Sequence, residues 1–152
     1  MGELSSLEIW SSIGFQVVLE KIEKDYLDSI ELNDGFLDFI KVAGTKYKLA
    51  IISNDSSRWS RFLREKFDIN QYFDVISISG DLKIRNPDER IFKHTIEQLA
   101  VNAEEYLYVD DRRGYLGAAK KVGLNTILFN SRNVPYKGDT INSFEELMKR
   151  IL

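Results

Sequence analysis

The sequence has 152 residues and a net charge of −3, with 43% hydrophobic and 30% charged residues. This size suits one domain with a sizeable core, and the charge balance offers no basic face to nucleic acid. Cysteine is absent, which excludes disulfides and thiolate metal sites and fits a reducing cytosol. No apolar run approaches the roughly 20 residues of a membrane span, and the first residues lack the pattern of a signal peptide. We therefore expect a cytoplasmic protein that binds neither nucleic acid nor membranes.

The first part of the chain has helical patterns. Residues 5–8 have the spacing of a capping box, and apolar residues then recur at helical spacing as far as Ser29. A further amphipathic helix is predicted to end at Gly44. We assign residues 1–30 to a small helical unit and residues 31–152 to the main body of a single compact domain.

Strands and helices then alternate along the chain. Four apolar runs are predicted strands: Lys48–Asn54, Val75–Ser79, Tyr106–Val109 and Thr126–Phe129. Helices are predicted at residues 57–66, from Pro87 onward, at 114–122 and from Ser143 to Ile151. Loops are predicted at residues 80–86 and 130–142. This alternation predicts an α/β, Rossmann-like parallel sheet with helices on both faces.

Polar side chains follow the predicted strands at their carboxyl ends, where ligands bind in open α/β sheets. Asp110 and Asp111 follow the third strand, and Ser53 with Asn54 closes the first. Two adjacent carboxylates supply the hard oxygen ligands that Mg²⁺ prefers. The alternative is that Asp111 only caps the next helix. We interpret the pair as a Mg²⁺ site, because one Asp would suffice for a cap.

These motifs, in this order, resemble those of the haloacid dehalogenase (HAD)-like hydrolases, in the branch with a small helical cap. The resemblance extends from about Gly2 to Asn130, and residues 1–30 resemble the later part of the family's cap. It implies phosphate-binding roles for Ser53, Asn54 and Asn86, within the segments 51–54 and 79–92. It also implies that Asp110 and Asp111, which resemble the metal-binding motif, hold Mg²⁺.

The departures from the family pattern concern catalysis. No Asp-x-Asp, which in the family carries the nucleophile and the general acid/base, occurs before Lys48. The family's phosphate-neutralising Lys falls on Asn86, and a later acidic or Asn position falls on Tyr115. The sequence therefore offers no catalytic residue of its own, and we expect no unaided turnover.

The resemblance also implies a missing strand. In the family the first strand lies between the strands that match Lys48–Asn54 and Tyr106–Val109, and losing it would leave buried backbone groups unpaired at about 1–3 kcal/mol each. Three outcomes remain open. The flanking strands pair directly, a segment of residues 1–30 fills the position, or a second polypeptide supplies the strand by β-augmentation.

The leading functional hypothesis is a HAD-like, Mg²⁺-dependent phosphohydrolase core that acts on a small phosphorylated molecule and is truncated or inactive alone. The alternative is a non-catalytic binding or interaction module on a degenerate HAD-like fold, favoured by Asn86 and Tyr115. An open apolar edge would also predict a homodimer or a partner chain. A receiver-type or flavodoxin-like domain is a further alternative, although its acidic pair follows the first strand, not the third.

Overall fold

The structure, a computed structural model, describes Ser12 and residues 19–152. The predicted capping box at residues 5–8 therefore lies outside the described residues. The second predicted helix is helix α1, Leu19–Ser29, and ends at the expected residue. The division into a cap unit of residues 1–30 and a body of residues 31–152 stays a prediction.

The remaining helices are α2 (Phe36–Ala43), α3 (Ser57–Lys66), α4 (Ser79–Leu82), α5 (Glu89–Leu99), α6 (Arg113–Lys121) and α7 (Phe144–Ile151). Short 3₁₀ turns cover Asn70–Tyr72 and Ala103–Glu105. Three of these six helices have a capping side chain at their start: Ser56 at α3, Asp88 at α5 and Ser143 at α7 each accept a hydrogen bond from a backbone N–H of the first turn.

The strands are β1 (Ala50–Ser53), β2 (Val75–Ile78), β3 (Leu107–Asp110), β4 (Asn125–Phe129) and β5 (Thr140–Ile141). All the strand pairs are parallel, as the alternation predicted. They form two separate sheets, one of order β1-β2 and one of order β3-β4-β5. The first open alternative, direct pairing of the strands on either side of the missing one, is therefore wrong.

Three local predictions are corrected. Residues 80–86 are not all loop, because α4 occupies Ser79–Leu82. Pro87 does not lie in the first turn of α5, because Asp88 caps that helix and it begins at Glu89. The predicted loop 130–142 contains β5, a strand of two residues that is too short to produce a periodic pattern.

Helices cover both faces of the sheets. On one face α2 and α7 pack around a core that includes Phe39, Ile40 and Leu147, and Ile51 and Val109 point into it from the strands. On the other face α5 and α6 pack around a second core. Its buried residues are Ile91, Phe92, Ala118, Ala119 and Leu124. Ile52 and Tyr108 pack against this second core, as expected because neighbouring strand residues point to opposite faces.

A cavity of about 1240 Å³ separates the two sheets. Its walls are β1 on one side and β3 on the other, together with residues of α2, α5 and α7. Among the described residues, no strand lies between β1 and β3. Every residue of β1 is only half-buried, whereas Thr126, Ile127 and Leu128 in the middle of β4 are buried. The cavity thus lies where a central strand of a continuous sheet would run.

Helix α1 is fixed to α3 by polar contacts from both ends of α3. The buried carboxylate of Glu23 accepts a hydrogen bond from the Trp59 indole and pairs with Arg58 at 3.2 Å. The Lys66 ammonium donates to the carbonyls of Leu27, Asp28 and Ile30 near the other end. Within the part of the chain that the structure describes, none of the helices is long and apolar enough to cross a membrane.

Candidate functional site

Three of the five predicted site residues line the cavity. Ser53 ends β1 and Asp110 ends β3, and because all the strands run parallel, both ends face the same edge of the molecule. Ser53, Asp110 and Asp111 all line the cavity. The structure therefore brings together the polar strand ends that were expected to converge, and their individual roles stay predictions.

Asp110 is half-buried and held in a fixed position. One carboxylate oxygen accepts a hydrogen bond from the Tyr108 hydroxyl at 2.6 Å, and the other accepts from the backbone N–H of Arg112 at 2.7 Å. The pKa of Asp110 lies above its ordinary value, because burial disfavours the charged form. The two hydrogen bonds oppose this shift, since they stabilise the charged form. The carboxylate is thus oriented by the chain before any ligand arrives.

Asp111 is exposed. The alternative that it caps the following helix is wrong, because the N-cap residue of α6 is Arg112 and receives no side-chain cap hydrogen bond. The side chain that contacts the start of this helix is that of Asp110, through the Arg112 N–H. Asp111 therefore has no capping task, and its carboxylate is available to the cavity that it lines.

The pair has the chemistry of a Mg²⁺ site but not a complete set of ligands. Mg²⁺ is commonly held by one or two carboxylates, with water and substrate phosphate completing its coordination, and Asp110 and Asp111 meet that minimum. Among the residues that the structure describes, no group of three or more acidic, His or Cys side chains could hold a metal ion. A cation here would therefore depend on water or phosphate for its other ligands.

Asn54 and Asn86 join two loops next to Ser53, although neither residue lines the cavity. The Asn54 amide donates to the Asn86 carbonyl at 2.7 Å and accepts from the Asn86 N–H at 2.8 Å. In this reciprocal pair the Asn54 side chain uses both its donor N–H and its acceptor oxygen. The residues predicted to bind phosphate are therefore adjacent, and Asn54 visibly acts by holding the segment around Asn86 in place.

The Asn86 side chain is directed into the protein. It is 2% exposed, and its amide N–H donates to the Tyr108 hydroxyl at 3.0 Å. Its side-chain oxygen has no hydrogen-bond partner among the described residues. Where the family has a charged Lys, this chain thus has a buried, neutral amide in a network with Tyr108 and Asp110.

Two tyrosines complete the network, and neither was predicted as a site residue. Burial is the main cause that raises the pKa of Tyr108, followed by the neighbouring Asp110, so its hydroxyl stays protonated and donates to that carboxylate. The Tyr115 hydroxyl accepts hydrogen bonds from Asn54 at 2.8 Å and from Arg112 at 2.9 Å. The spacing of Tyr108 and Asp110, two residues apart on a strand, places both on one face and could have identified the first tyrosine.

The segment after β1 is held by close backbone contacts. The Ser79 hydroxyl accepts from the Asp55 N–H at 3.1 Å, and the Gly80 N–H donates to the Asp55 carbonyl at 3.1 Å. A Cβ at Gly80 would lie 2.8 Å from the backbone nitrogen of Ser57. Glycine is therefore required at this position for the start of α4 to approach the turn after β1.

Comparison with known proteins identifies the family. The family model described as haloacid dehalogenase-like hydrolase matches residues 6–129. The chain therefore belongs to the HAD-like hydrolases, as the motifs indicated, and the receiver-type alternative is wrong.

Two of the named relatives have different activities. The chain is 31% identical over 117 residues to (S)-2-haloacid dehalogenase 4A of Burkholderia cepacia, covering 73% of this chain and 50% of the relative. It is 32% identical over 93 residues to glyceraldehyde 3-phosphate phosphatase of Pyrococcus abyssi, covering 59% of this chain and 38% of the relative. The chain thus spans half or less of the length of these two relatives.

The fold is shared with solved HAD structures. The structure of a HAD phosphatase from Thermococcus onnurineus superimposes with a TM-score of 0.81 at 23% identity, over 93% of this chain and 68% of that one. This likeness confirms the predicted Rossmann-like α/β class, with parallel strands and helices on both faces.

Proposed function

We propose that this chain forms the larger part of a Mg²⁺-dependent phosphohydrolase site for a small phosphorylated molecule, and that it does not turn over unaided. The observation that carries the proposal is the meeting of Ser53, Asp110 and Asp111 on one cavity, at the carboxyl ends of β1 and β3. Membership of the HAD-like hydrolases supports it.

The residues have separate tasks in this proposal. The Ser53 hydroxyl donates to a phosphate oxygen, and Asp110 and Asp111 hold Mg²⁺, which neutralises phosphate charge when bound. Asn54 and Asn86 keep the phosphate-facing loops in register through their reciprocal pair. Tyr108 and the Arg112 N–H orient the Asp110 carboxylate. None of these groups is an attacking nucleophile.

Phosphate chemistry fits the site better than dehalogenation, although relatives of both kinds exist. Two adjacent carboxylates repel an anionic substrate unless a divalent cation lies between them. A phosphate bound through Mg²⁺ uses that arrangement, and its higher negative charge gains more from the cation than the single charge of a haloacid carboxylate. We therefore propose that the reaction is phosphate hydrolysis and not dehalogenation.

The absence of an Asp-x-Asp before Lys48 supports the lack of unaided turnover. A covalent mechanism needs an attacking group, and enzymatic acceleration of phosphomonoester hydrolysis reaches as much as ~10²¹-fold. Water attack alone would lose most of that acceleration. We therefore propose that the site formed by these residues lacks an attacking group.

The second candidate function is the non-catalytic interaction module. The buried, neutral Asn86 in a closed network with Tyr108 favours it, because a phosphate site gains no positive charge there. Binding of Mg²⁺ and inorganic phosphate separates the two functions, since only the first needs either ligand.

The test is a titration of the chain with MgCl₂ and then with inorganic phosphate, followed by amide NMR, together with an assay on p-nitrophenyl phosphate. We expect Mg²⁺ to shift the amide signals of Asp110 and Asp111, phosphate to shift Ser53 only when Mg²⁺ is present, and no turnover. Asp111→Asn should abolish the Mg²⁺ response. Asp139→Asn, an exposed Asp away from the cavity, is the matched control.

Two results would contradict the proposal. Absence of any Mg²⁺ or phosphate response would favour the interaction module. Clear turnover by the chain alone, abolished in Asp111→Asn but not in Asp139→Asn, would show that the missing nucleophile is not needed.

A further inference from the structure

Arg112 brings a basic side chain to the edge of the sheet where the acidic pair lies. It follows Asp110, the last residue of β3, and Asp111, and it is exposed. Arginine and carboxylate side chains commonly pair through charge-assisted hydrogen bonds. Within the part of the chain that the structure describes, however, Arg112 has no carboxylate at salt-bridge distance. Its guanidinium is therefore not paired with either member of the acidic pair.

The Arg112 guanidinium is nevertheless held in place. Its Nη1 donates a hydrogen bond to the Tyr115 hydroxyl at 2.9 Å, and its central carbon lies 5.3 Å from the centroid of the Tyr115 ring. A cation over an aromatic ring is attracted by the negative face of that ring. Of the five N–H donors of a guanidinium, these contacts use one, and the others have no partner among the described residues. The side chain is thus fixed and can still donate to a ligand.

Tyr115 connects this guanidinium to the end of β1. Its hydroxyl also accepts a hydrogen bond from the Asn54 amide, at 2.8 Å. Because both donors share one oxygen, the Arg112 and Asn54 nitrogen atoms are no farther apart than two hydrogen-bond lengths. Asn54 directly follows Ser53, the proposed phosphate ligand at the end of β1. The charge of Arg112 therefore lies beside the turn that carries Ser53.

The basic residues that line the cavity lie at its opposite end. They are Lys46, Lys48 and Arg150. Lys48 precedes β1, and since a strand advances about 3.3 Å per residue, it lies on the order of 15 Å from Ser53. The Lys46 ammonium donates to the carbonyl of Leu152, which brings the end of α7, with Arg150, to the same region. None of these three cations is beside the acidic pair.

The charge of a bound phosphate calls for a cation near the acidic pair. One Mg²⁺ balances only the two carboxylates of Asp110 and Asp111, and a phosphate monoester brings a charge of about −1.5 to −2 at pH 7. Asn86, which is 2% exposed and neutral, supplies no charge. A guanidinium matches phosphate well, because its planar fork can donate to two oxygens at once.

We propose that Arg112 is a phosphate-binding residue of this site, and that its guanidinium, held by Tyr115, donates to oxygens of the phosphate that Ser53 and Mg²⁺ bind. Three separate partners for the phosphate favour a monoester, which has three terminal oxygens, over a diester, which has two. This inference rests on the proposed function and adds the residue that neutralises the phosphate.

The experiment is a titration of the full chain with inorganic phosphate at saturating MgCl₂, followed by NMR. We expect phosphate to shift the side-chain Nε–H signal of Arg112 together with the amide signal of Ser53. Arg112→Gln should weaken phosphate binding roughly tenfold, near the lower end for a charge-assisted hydrogen bond, because solvent screens an exposed guanidinium. Its Mg²⁺ response should not weaken, because the substitution removes a positive charge and no metal ligand.

The matched control is Arg113→Gln. Arg113 is the next residue, is exposed, begins α6 and has no side-chain hydrogen bond among the described residues. This variant loses the same charge from an adjacent position, so its phosphate affinity should change by less than about twofold. Arg112→Lys keeps the charge without the planar fork and should recover only part of the affinity. A retained Mg²⁺ response shows that each variant is folded.

The outcomes separate this inference from the proposed function. If the unaltered chain binds phosphate with Mg²⁺ present, and Arg112→Gln binds it as tightly as Arg113→Gln does, the role of Arg112 is overturned and the proposed function stands. Equal weakening in both variants would also overturn that role, because general charge and not a specific contact would be responsible. No phosphate response in the unaltered chain would overturn the phosphate site itself, and the role of Arg112 with it.

Discussion

The two halves of the sheet, β1-β2 and β3-β4-β5, show how pairing decides the environment of similar strands. Leu128 in β4 has a strand on each side and is fully buried, whereas Leu107 at the cavity edge of β3 is 38% exposed. The sequences of β1 and β3 are as apolar as a buried strand requires, yet their residues are mostly half-exposed. Apolar composition therefore predicts the strand, and only pairing on both sides completes its burial.

The halves are also connected by polar contacts, which we call the rim network: Asn54, Asn86, Tyr108 and Tyr115. Asn54 follows β1 and donates to Tyr115 in α6, and Asn86 donates to Tyr108 in β3. These hydrogen bonds cross between the half that contains β2 and the half that contains β4. The network thus contributes to keeping the two strand edges in place on either side of the cavity.

The largest expected difference between the halves is in the cost of removing a leucine. Leu128→Ala should lower the free energy of unfolding by about 2–5 kcal/mol, because it leaves a cavity in a fully packed region. Leu107→Ala, at the open edge, should cost less than about 1 kcal/mol. Urea unfolding followed by circular dichroism measures both, and equal losses would mean that the cavity edge is packed in solution.

The next effect concerns the contacts that join the halves. Asn54→Ala should lower the free energy of unfolding by about 1–3 kcal/mol, because it leaves the N–H and C=O of the buried Asn86 without partners. Asn125→Ala is the matched control, since this exposed Asn makes one side-chain hydrogen bond, to the Glu104 carbonyl. A loss no greater than that of the control would argue against the rim network as a connection.

The smallest effect tests one backbone group at the cavity edge. Leu107→Pro removes the N–H that faces the cavity, at the first residue of a strand, where Pro is tolerated. Its free energy of unfolding should differ from that of Leu107→Ala by less than about 1 kcal/mol, because an N–H directed away from β4 has no hydrogen bond within the sheet to lose. Leu107→Ala removes the same side chain but keeps the N–H. Urea unfolding compares the two variants, and a further loss of about 1–3 kcal/mol in the Pro variant would show that this N–H is hydrogen-bonded.

Much of the local structure follows from the sequence. Four strands, the capping of α7 by either Asn142 or Ser143, and the approach of Ser53 to Asp110 were predicted, because apolar runs, capping residues and strand direction are local properties; the structure shows that Ser143 is the cap. The strand β5 was missed, since two residues carry no periodicity. The reciprocal pair of Asn54 and Asn86 has no local signal, because the two residues are joined only by the fold.

What the sequence determined by itself is a family, an α/β parallel fold and an acidic pair at a strand end. What only the tertiary structure decided is that β1 and β3 do not close on each other, and that Asn86 turns inward to Tyr108 and Asp110. The physical reason is that helices on both faces set the separation of the two sheets through side chains distant in sequence. Hydrogen-bond partners of a strand edge or a buried amide depend on that separation, and no short stretch of sequence encodes it.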